Sequence, residues 1–449
     1  MNRRKPFYPS IQLKLVLVSL LALFFYQASA QDAKPLSLWV MGNASEGTVS
    51  YFDTVLPMFA NETGVSVEYE FVPWGDAVQR ISTAVMSGQG PDVTQVGTTR
   101  VPGFQATGGF VDLTNDYGDT LPAKDAFFPS TLQTIGYAGK AYSAPWFSDP
   151  RILIYRKDLW GEAGYPEGPK TWEELVDGGV KIKDAHPELA SVIGLPGQDF
   201  GHYLGEFIWQ NCGDILSPDG TKVTWTAPEV VEAVKFFADL VAESGVAAPQ
   251  NAEWTYDDVL TRFWDGSIGT LFFGSDYNRV ATSEQITAMN DNIGFALEPT
   301  GRCQSNFVGG SNLMMFEGGA QQDASLELIS FLQRPDIQAF NTNLGSHVPV
   351  VRATFADSAP ENNPELWTTL AEATEVGRTF PVHPAWSDVQ QTIPEVVTRV
   401  YAAIIDGSYN ATTVDQILTE VEAEGQRALD AAGGAPAGYD SPWPTPTNP

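Results

Sequence analysis

Residues 62–113 read ETGVSVEYEFVPWGDAVQRISTAVMSGQGPDVTQVGTTRVPGFQATGGFVDL and decide the fold class of this chain. The stretch begins with an alternating run, residues 65–72, which is typical of a half-buried β-strand. Residues 76–87 then carry apolar side chains at helical spacing, and a Gly-Pro turn follows them. Residues 93–96 form a second short apolar run. A strand, a helix and a strand in this order predict an α/β fold.

The same alternation continues outward from this stretch in both directions. We expect a helix at 76–87 with Val78, Ile81 and Val85 on one side, and we expect residues 222–225 to return as a strand from a turn at 217–220. Further strands are predicted at 36–41 and 152–155, and further helices at 47–62, 228–244, 324–332 and 394–405. The predicted architecture is therefore α/β throughout.

The first thirty residues have the pattern of a secretion signal. Basic residues including Arg3 and Lys14 precede an apolar stretch at 15–26. The small residues Ala28-Ser29-Ala30 that follow are typical of a cleavage site after Ala30. An apolar stretch this short suits a cleaved signal better than a membrane span, which stays the alternative. We therefore predict residues 1–30 to be a signal peptide and the protein to be periplasmic. The Gly/Pro-rich residues 433–449 predict a flexible tail.

Composition narrows the possible partners. Without residues 1–30 the chain keeps 21 basic and 55 acidic residues, a formal charge of −34 with His neutral. So acidic a surface repels nucleic acid and anionic membranes. Twelve Trp and fifteen Tyr exceed what packing needs and suggest exposed aromatic side chains. The two cysteines, Cys212 and Cys303, predict one disulfide in an oxidising compartment, with two buried free thiols as the alternative.

Catalytic and cofactor motifs are missing from the sequence. It contains no GxGxxG after a strand, no GxxxxGK[ST], no HExxH, no CxxC and no GxSxG. We therefore predict no cofactor, no metal and no catalysis. Paired carboxylates of a glycoside hydrolase are set by folding and not by spacing, so a secreted glycosidase remains the alternative from another functional class.

The quoted stretch closely resembles the first lobe of extracellular solute-binding proteins of family 1. Three further stretches match in the same order, at residues 139–175, 307–332 and 380–429. The resemblance implies a two-lobed periplasmic-binding-protein fold of type II, with the ligand cleft between lobes joined by a hinge. It places lobe one at 31–148 and 310–356, and lobe two at 149–309 and 357–432. Both cysteines then fall in lobe two.

The resemblance also implies the function. Family members of this kind are non-catalytic substrate-binding proteins of ABC importers. They hold a mono- or oligosaccharide in the cleft and deliver it to an inner-membrane permease. We expect such a protein to be a monomer. Arg100 and Arg151 leave open an anionic sugar, or a phosphorylated or sulfonated polyol, as the ligand.

Ligand-binding residues carried over from lobe one follow its first and third strands. Asn43 and Glu46 come after the first strand, where a helix N-cap is the structural alternative. Thr99 and Arg100 come after the third strand, where the family has an Asp-Arg pair. Thr99 departs from that pattern, and Arg100 has a surface salt bridge as its alternative role.

The two crossings between the lobes contribute a second set of predicted residues. Trp146, Asp149 and Arg151 fall in the first crossing, and Asp149 occupies the position of a sugar-binding Glu. Charged hydrogen bonds are strong partners for sugar hydroxyls, although the same charges could only tie the hinge. Gly310 and Ser311 fall in the second crossing, where bare backbone can approach a ligand.

Lobe two is expected to supply mainly aromatic contacts. His202 and Tyr203 resemble the family's Pro-Tyr platform, and Asp276 and Tyr277 stand where the family often places a stacking Trp. Trp386 lies one turn before the position of the family's stacking Trp. The sequence leaves open whether Trp386 contacts the ligand or packs in the core.

Overall fold

The computed structural model of the protein describes residues 34–42, 44–199, 201–345, 347–358 and 363–435. The predicted signal peptide, its cut site and the predicted tail from residue 436 onward lie outside the described residues. Within those ranges, no helix combines the length and the hydropathy that crossing a membrane requires. The predicted α/β class is confirmed.

The described residues form ten strands in two sheets. The strands are β1 (Leu36–Met41), β2 (Val67–Val72), β3 (Val93–Gly97), β4 (Ala144–Pro150), β5 (Ile152–Arg156), β6 (Ser191–Gly194), β7 (Ile268–Phe273), β8 (Ile293–Ala296), β9 (Val308–Met315) and β10 (Val348–Pro349).

Helices surround both sheets. They are α1 (Glu46–Thr63), α2 (Trp74–Ser87), α3 (Val101–Ala106), α4 (Pro129–Leu132), α5 (Lys157–Glu162), α6 (Trp172–Ala185), α7 (Tyr203–Gln210), α8 (Pro228–Ala242), α9 (Tyr256–Trp264), α10 (Ser283–Met289), α11 (Gln322–Leu332), α12 (Pro335–Gly345), α13 (Arg352–Ser358), α14 (Pro364–Val376), α15 (Trp386–Val389), α16 (Thr392–Ile405) and α17 (Thr413–Ala431).

The six-stranded sheet has the order β10-β4-β9-β3-β1-β2. Strand β1 pairs in parallel with β2 and β3, because α1 and α2 return the chain to the same edge each time. Strand β9 then pairs antiparallel with both β3 and β4. Leu38 and Val40 of β1 are buried against Val55 and Phe59 of α1 in the core of this sheet. The strand–helix–strand order predicted from residues 62–113 is confirmed.

The four-stranded sheet has the order β6-β7-β5-β8. All six residues of β7 are buried, as expected for a central strand covered on both faces. The larger core beside this sheet joins Trp160, Phe207, Phe237 and Val397, which come from four different helices. This half therefore has its own hydrophobic core.

Three passes of the chain connect the two sheets and are hydrogen-bonded to one another. Arg151 alone separates β4 from β5, and its backbone N–H donates to the Phe307 carbonyl at 2.8 Å. The Val308 N–H donates to the Arg378 carbonyl at 2.7 Å, and the Arg378 N–H donates to Asn306 at 2.8 Å. Helix α14 packs on β4 of one sheet and on β5 and β8 of the other. The predicted residue bounds of the two lobes stay a prediction.

The predicted disulfide is confirmed. Cys212, just after α7, is bonded to Cys303 with a Cα–Cα distance of 5.4 Å and a sequence separation of 91. Cys303 lies between β8 and β9. The bond therefore connects two segments that flank the four-stranded sheet.

Two local expectations are wrong. On the predicted side of α2, Ile81 is buried but Val78 is 43% exposed. The helix buries Ala77 and Ala84 beside Ile81, because small side chains let it approach the sheet closely. Residues 222–225 form only one bridge, between Leu216 and Val223, and not a strand. The Ser217 N–H donates to the Lys222 carbonyl at 2.8 Å and the Thr224 N–H to the Ile215 carbonyl at 2.9 Å, so the predicted turn does reverse the chain, but the pairing is limited to this bridge.

Candidate ligand-binding site

A cavity of about 510 Å³ lies between the two sheets. One wall comes from the carboxyl ends of β1 and β3, the start of α1, and strands β4 and β9. The facing wall comes from the segment after β7. Ligands of α/β proteins bind at such strand ends. The lining residues are Val40, Met41, Ser45, Gly47, Thr48, Trp74, Gln95, Trp146, Phe147, Ser148, Asp149, Ser275, Asp276, Asn278, Arg279, Gly310, Ser311, Leu344 and His347.

Trp74 is an exposed aromatic side chain of this cavity, and it was not among the predicted ligand-binding residues. Its side chain is 53% exposed, although Trp is usually well covered. The indole lies beside Gly42 and Gly97, where a Cβ would come within 3.4 Å of Trp74 Nε1 and Cζ3 respectively. Both glycines therefore lie directly against the ring. The available signals were the surplus of aromatics and the position of Trp74 directly after the predicted strand 65–72.

Gln95 and Ser311 hold a fixed pair of polar groups at the floor of the cavity. The Gln95 amide accepts from the Met41 N–H at 2.9 Å and donates to Ser311 Oγ at 2.8 Å. Gly310 beside them has φ +129°, and a Cβ there would overlap the Phe147 carbonyl oxygen. Gly310 and Ser311 were predicted to line the site, whereas Gln95 was missed because a buried strand position gives no signal of its own.

At the first crossing, Asp149 lines the cavity and is paired with Arg151. Arg151 Nη1 lies 3.2 Å from Asp149 Oδ1, and the Arg151 side chain is 9% exposed against 32% for Asp149. The guanidinium lies 4.8 Å from the centre of the Phe273 ring. Burial raises the pKa of the Asp149 carboxyl, although Arg151 opposes the shift. Both predicted roles, ligand contact and hinge tie, are compatible with this position.

The first crossing lies close to the facing wall at Gly274. A Cβ at Gly274 would overlap the Asp149 carboxylate and lie 2.8 Å from Arg151 Nη1. Behind the pair, Glu206 on α7 is buried and accepts from the Phe307 N–H. Burial raises the pKa of Glu206 to about 8, while Arg151 acts in the opposite direction.

The facing wall carries a second ion-paired arginine. Arg279 lies 2.9 Å from Asp276 and 2.6 Å from Asp257. Asp276 was predicted, whereas Ser275, Asn278 and Arg279 were not, because their approach to β4 depends on the tertiary fold. Arg279, which lines the cavity, and Arg151, which lies behind Asp149, are therefore each matched by at least one carboxylate.

Three aromatic residues predicted as platforms are buried in cores. Tyr203 is 1% exposed and donates its hydroxyl to the Phe272 carbonyl at 2.7 Å. Tyr277 stacks on Trp264 with ring centres 5.8 Å apart. Trp386 is 1% exposed and its ring lies 5.0 Å from that of Phe380. That these three residues contact a ligand stays a prediction. The ring and hydrogen-bond contacts just described are those of residues packed in a core.

Trp146 and His202 are also largely enclosed. Trp146 is 2% exposed and reaches the cavity wall from the core of the six-stranded sheet. His202 stacks on Phe307 with ring centres 4.6 Å apart. Burial lowers the pKa of His202 to about 3, and Arg151 adds to this shift. His202 is therefore neutral at ordinary pH.

The remaining predicted residues lie after β1 and β3. Thr99 and Arg100 form a short turn directly after β3 that packs against α15, so they stand where the two halves meet. Neither lines the described cavity. Asn43 lies outside the described residues, as does the side chain of Glu46, the first residue of α1. Ser45 caps α1, accepting from the Thr48 N–H at 3.1 Å.

Comparisons with known proteins identify the family of this chain. The profile of the bacterial extracellular solute-binding proteins matches residues 43–339. The diacetylchitobiose binding protein DasA of Streptomyces coelicolor is 26% identical over 401 residues, which cover 88% of this chain and 90% of that protein. A putative binding protein of Brucella abortus is 26% identical over 389 residues, covering 86% and 91%.

Solved structures agree on the fold. The sugar-binding protein MalE from Xanthomonas citri has a TM-score of 0.77 at 24% identity, covering 89% of this chain and 98% of that one. A Thermotoga lettingae solute-binding protein bound to α-D-tagatose has a TM-score of 0.75 at 22% identity, covering 88% and 100%. The profile spans more than half of the chain, and the fold is that of type II periplasmic binding proteins. The chain belongs to the bacterial extracellular solute-binding proteins.

Proposed function

We propose that this protein is the periplasmic substrate-binding component of an ABC importer and that its ligand is an uncharged mono- or oligosaccharide. The observation that carries the proposal is the exposed Trp74 indole inside a cavity that also presents the polar side chains of Gln95, Asp149 and Arg279. A pyranose has apolar C–H faces that lie on aromatic rings and hydroxyls that need donors and acceptors. The cavity offers both kinds of surface.

The charges of the cavity favour a neutral ligand over an anionic one. Arg151 is paired with Asp149, and Arg279 is paired with Asp276 and Asp257. An anionic sugar would have to compete with these carboxylates for the guanidinium groups. Hydroxyls can instead accept from Arg279 and donate to Asp149 and Asp276, which line the cavity, without separating either pair.

The relatives support a carbohydrate. DasA is named for binding diacetylchitobiose, and the structural neighbours include proteins bound to tagatose and maltose. We propose that ligand contacts to both walls favour a closed form, and that an inner-membrane permease recognises this form. The proposal includes export through the signal peptide, a monomeric state and no chemistry on the ligand.

A thermal-shift screen tests the ligand class. The panel holds tagatose, maltose, N,N′-diacetylchitobiose, a sugar phosphate and a hexuronate, and hits are confirmed by isothermal titration. A ligand at 100 times its Kd should stabilise the folded state by about 2.7 kcal/mol. Chromatography of the incubated sugar should show no product. Selective binding of the charged sugars would refute the neutral ligand, and steady product formation would favour a glycosidase.

A further inference from the structure

His347 lines the cleft cavity directly before strand β10. The next residue, Val348, pairs with Ser148 of β4, so the backbone at this position is tied to the wall of the cavity. His347 is partly exposed and was not among the predicted ligand-binding residues. An imidazole is therefore held at the cavity, on the side of the six-stranded sheet.

Contacts on several sides fix the position of His347. Its ring stacks on the ring of Phe147, with centres 3.8 Å apart. Its carbonyl accepts from the Thr342 hydroxyl at 3.0 Å, and its backbone N–H donates to the Asn341 carbonyl at 3.5 Å. A side chain held in this way loses little freedom when a ligand binds, so its hydrogen bond to a ligand is favoured.

The two ring nitrogens of His347 have different surroundings. Nδ1 lies 3.0 Å from the side-chain oxygen Oδ1 of Asn341. An amide oxygen only accepts, so the ring carries its proton on Nδ1 and presents Nε2 as an acceptor. Nε2 has no hydrogen-bond partner among the described residues, and it is not one of the side-chain atoms that are sealed from solvent without a partner. It is therefore accessible from the cavity.

The acceptors around this part of the cavity select the groups that a ligand can present. Burial lowers the pKa of His347 to about 4, although Asp276 on the facing wall opposes the shift, so the ring is neutral at ordinary pH. Asp149 and Asp276 bring further acceptors to the same cavity. Hydroxyls can donate to these atoms, whereas carboxylates, phosphates and ether oxygens can only accept and would remain unpaired there.

We propose that His347 is a specificity-determining residue of the cleft and that its Nε2 accepts a hydrogen bond from a hydroxyl of the bound sugar. The inference rests on the function proposed above and adds a requirement for one free hydroxyl of the ligand. His347 lies beside the six-stranded sheet, and Asp276 follows β7 of the four-stranded sheet. A ligand that donates to both would therefore link the two halves of the molecule.

Three substitutions separate recognition from packing. His347→Gln places an amide group near the position of Nε2, His347→Asn reaches only the position of Nδ1, and His347→Phe keeps a ring on Phe147 without either nitrogen. We expect His347→Asn and His347→Phe to raise the Kd for the best sugar of the screen about tenfold, which corresponds to about 1.4 kcal/mol. His347→Gln should raise it by no more than about threefold. A role confined to the bond with Asn341 predicts tighter binding by the Asn variant than by the Gln variant, and that order would overturn the proposal.

Single-deoxy derivatives of the same sugar identify the hydroxyl. One derivative should bind the parent about tenfold more weakly than the sugar does, yet bind His347→Phe within about twofold of the sugar, because the partner of the missing hydroxyl is already absent. Losses that are the same in both proteins for every derivative would overturn the proposal. His186→Gln is the control and should bind as the parent does, because His186 pairs with Glu162 and Glu188 and does not line the cavity.

Two failures are distinguishable in this design. Circular dichroism and Tm establish that each variant is folded. A folded parent that binds no sugar of the panel would refute the proposed function and this inference with it. A parent that binds sugar, with folded Asn and Phe variants that bind it within about twofold of the parent, would overturn only the role of His347.

Discussion

Replacing Trp74 by alanine should weaken ligand binding without unfolding the protein. The indole is 53% exposed, and since a tryptophan buries roughly 150–250 Å², about 100 Å² remains for a ligand to cover. At about 25 cal/mol per Å² this area sets a ceiling of ~2.5 kcal/mol. Ordering of the ligand reduces the gain, so we expect a loss of about 1–2 kcal/mol, or roughly 5- to 30-fold in Kd.

Isothermal titration with the best sugar from the screen measures this loss. Met86→Ala is the control, because Met86 lies on the same helix, is 80% exposed and does not line the cavity. Circular dichroism checks that both variants are folded. A Trp74→Ala protein that binds within twofold of the parent would show that the indole is not a ligand platform, and the carbohydrate proposal would lose its main support.

Three further predictions concern the disulfide, the buried acid and the cavity carboxylate. Unfolded, unreduced protein should show no free thiol on titration, and Cys212→Ala/Cys303→Ala should lose about 2–4 kcal/mol of unfolding free energy; two reactive thiols would contradict the bond. Burial raises the pKa of Glu206 from 4.5 to about 8. The contribution of protonated Glu206 to the free energy of unfolding is therefore complete below pH 4.5 and is lost as pH rises through 8. The Tm of Glu206→Gln should therefore fall less than that of the parent between pH 5 and pH 9, and equal falls would exclude this titration. Asp149→Asn should weaken sugar binding by about 1–3 kcal/mol, and Arg100→Ala by less, since Asp149 lines the cavity and Arg100 does not; the reverse order on titration would move recognition to the turn at 98–100.

The order of strands and helices was predictable because it depends on local patterns. The predicted strand 36–41 and the predicted helix 228–244 agree with β1 and α8 to within two residues at each end. The buried face of α2 was not predictable from large apolar residues, because Ala77 and Ala84 face the sheet and Val78 faces solvent. Residues at a close helix–sheet contact are often small. A search for large apolar residues at helical spacing does not identify them.

The site was predictable only where a motif fixes the chain position. Asp149, Gly310 and Ser311 line the cavity as the resemblance implies, since the crossings recur at fixed places in the family. Trp74 and Arg279 were missed because no local pattern shows which surface residue will face a cavity. Tyr203 and Trp386 carry the expected residue types, but the surrounding helices enclose both rings. Exposure is a property of the tertiary structure.

The central position of β9 has a consequence for when the molecule can fold. Gln95 and Ser311, which hydrogen-bond across the middle of the six-stranded sheet, are 216 residues apart in the chain. Until β9 has been synthesised, β3 and β4 lack the strand that joins them, and both present unpaired edges. Contacts this distant in sequence close slowly, because chain entropy must be lost before they form. A chain whose sheet is completed this late stays unfolded longer than one whose strands pair only with near neighbours in sequence.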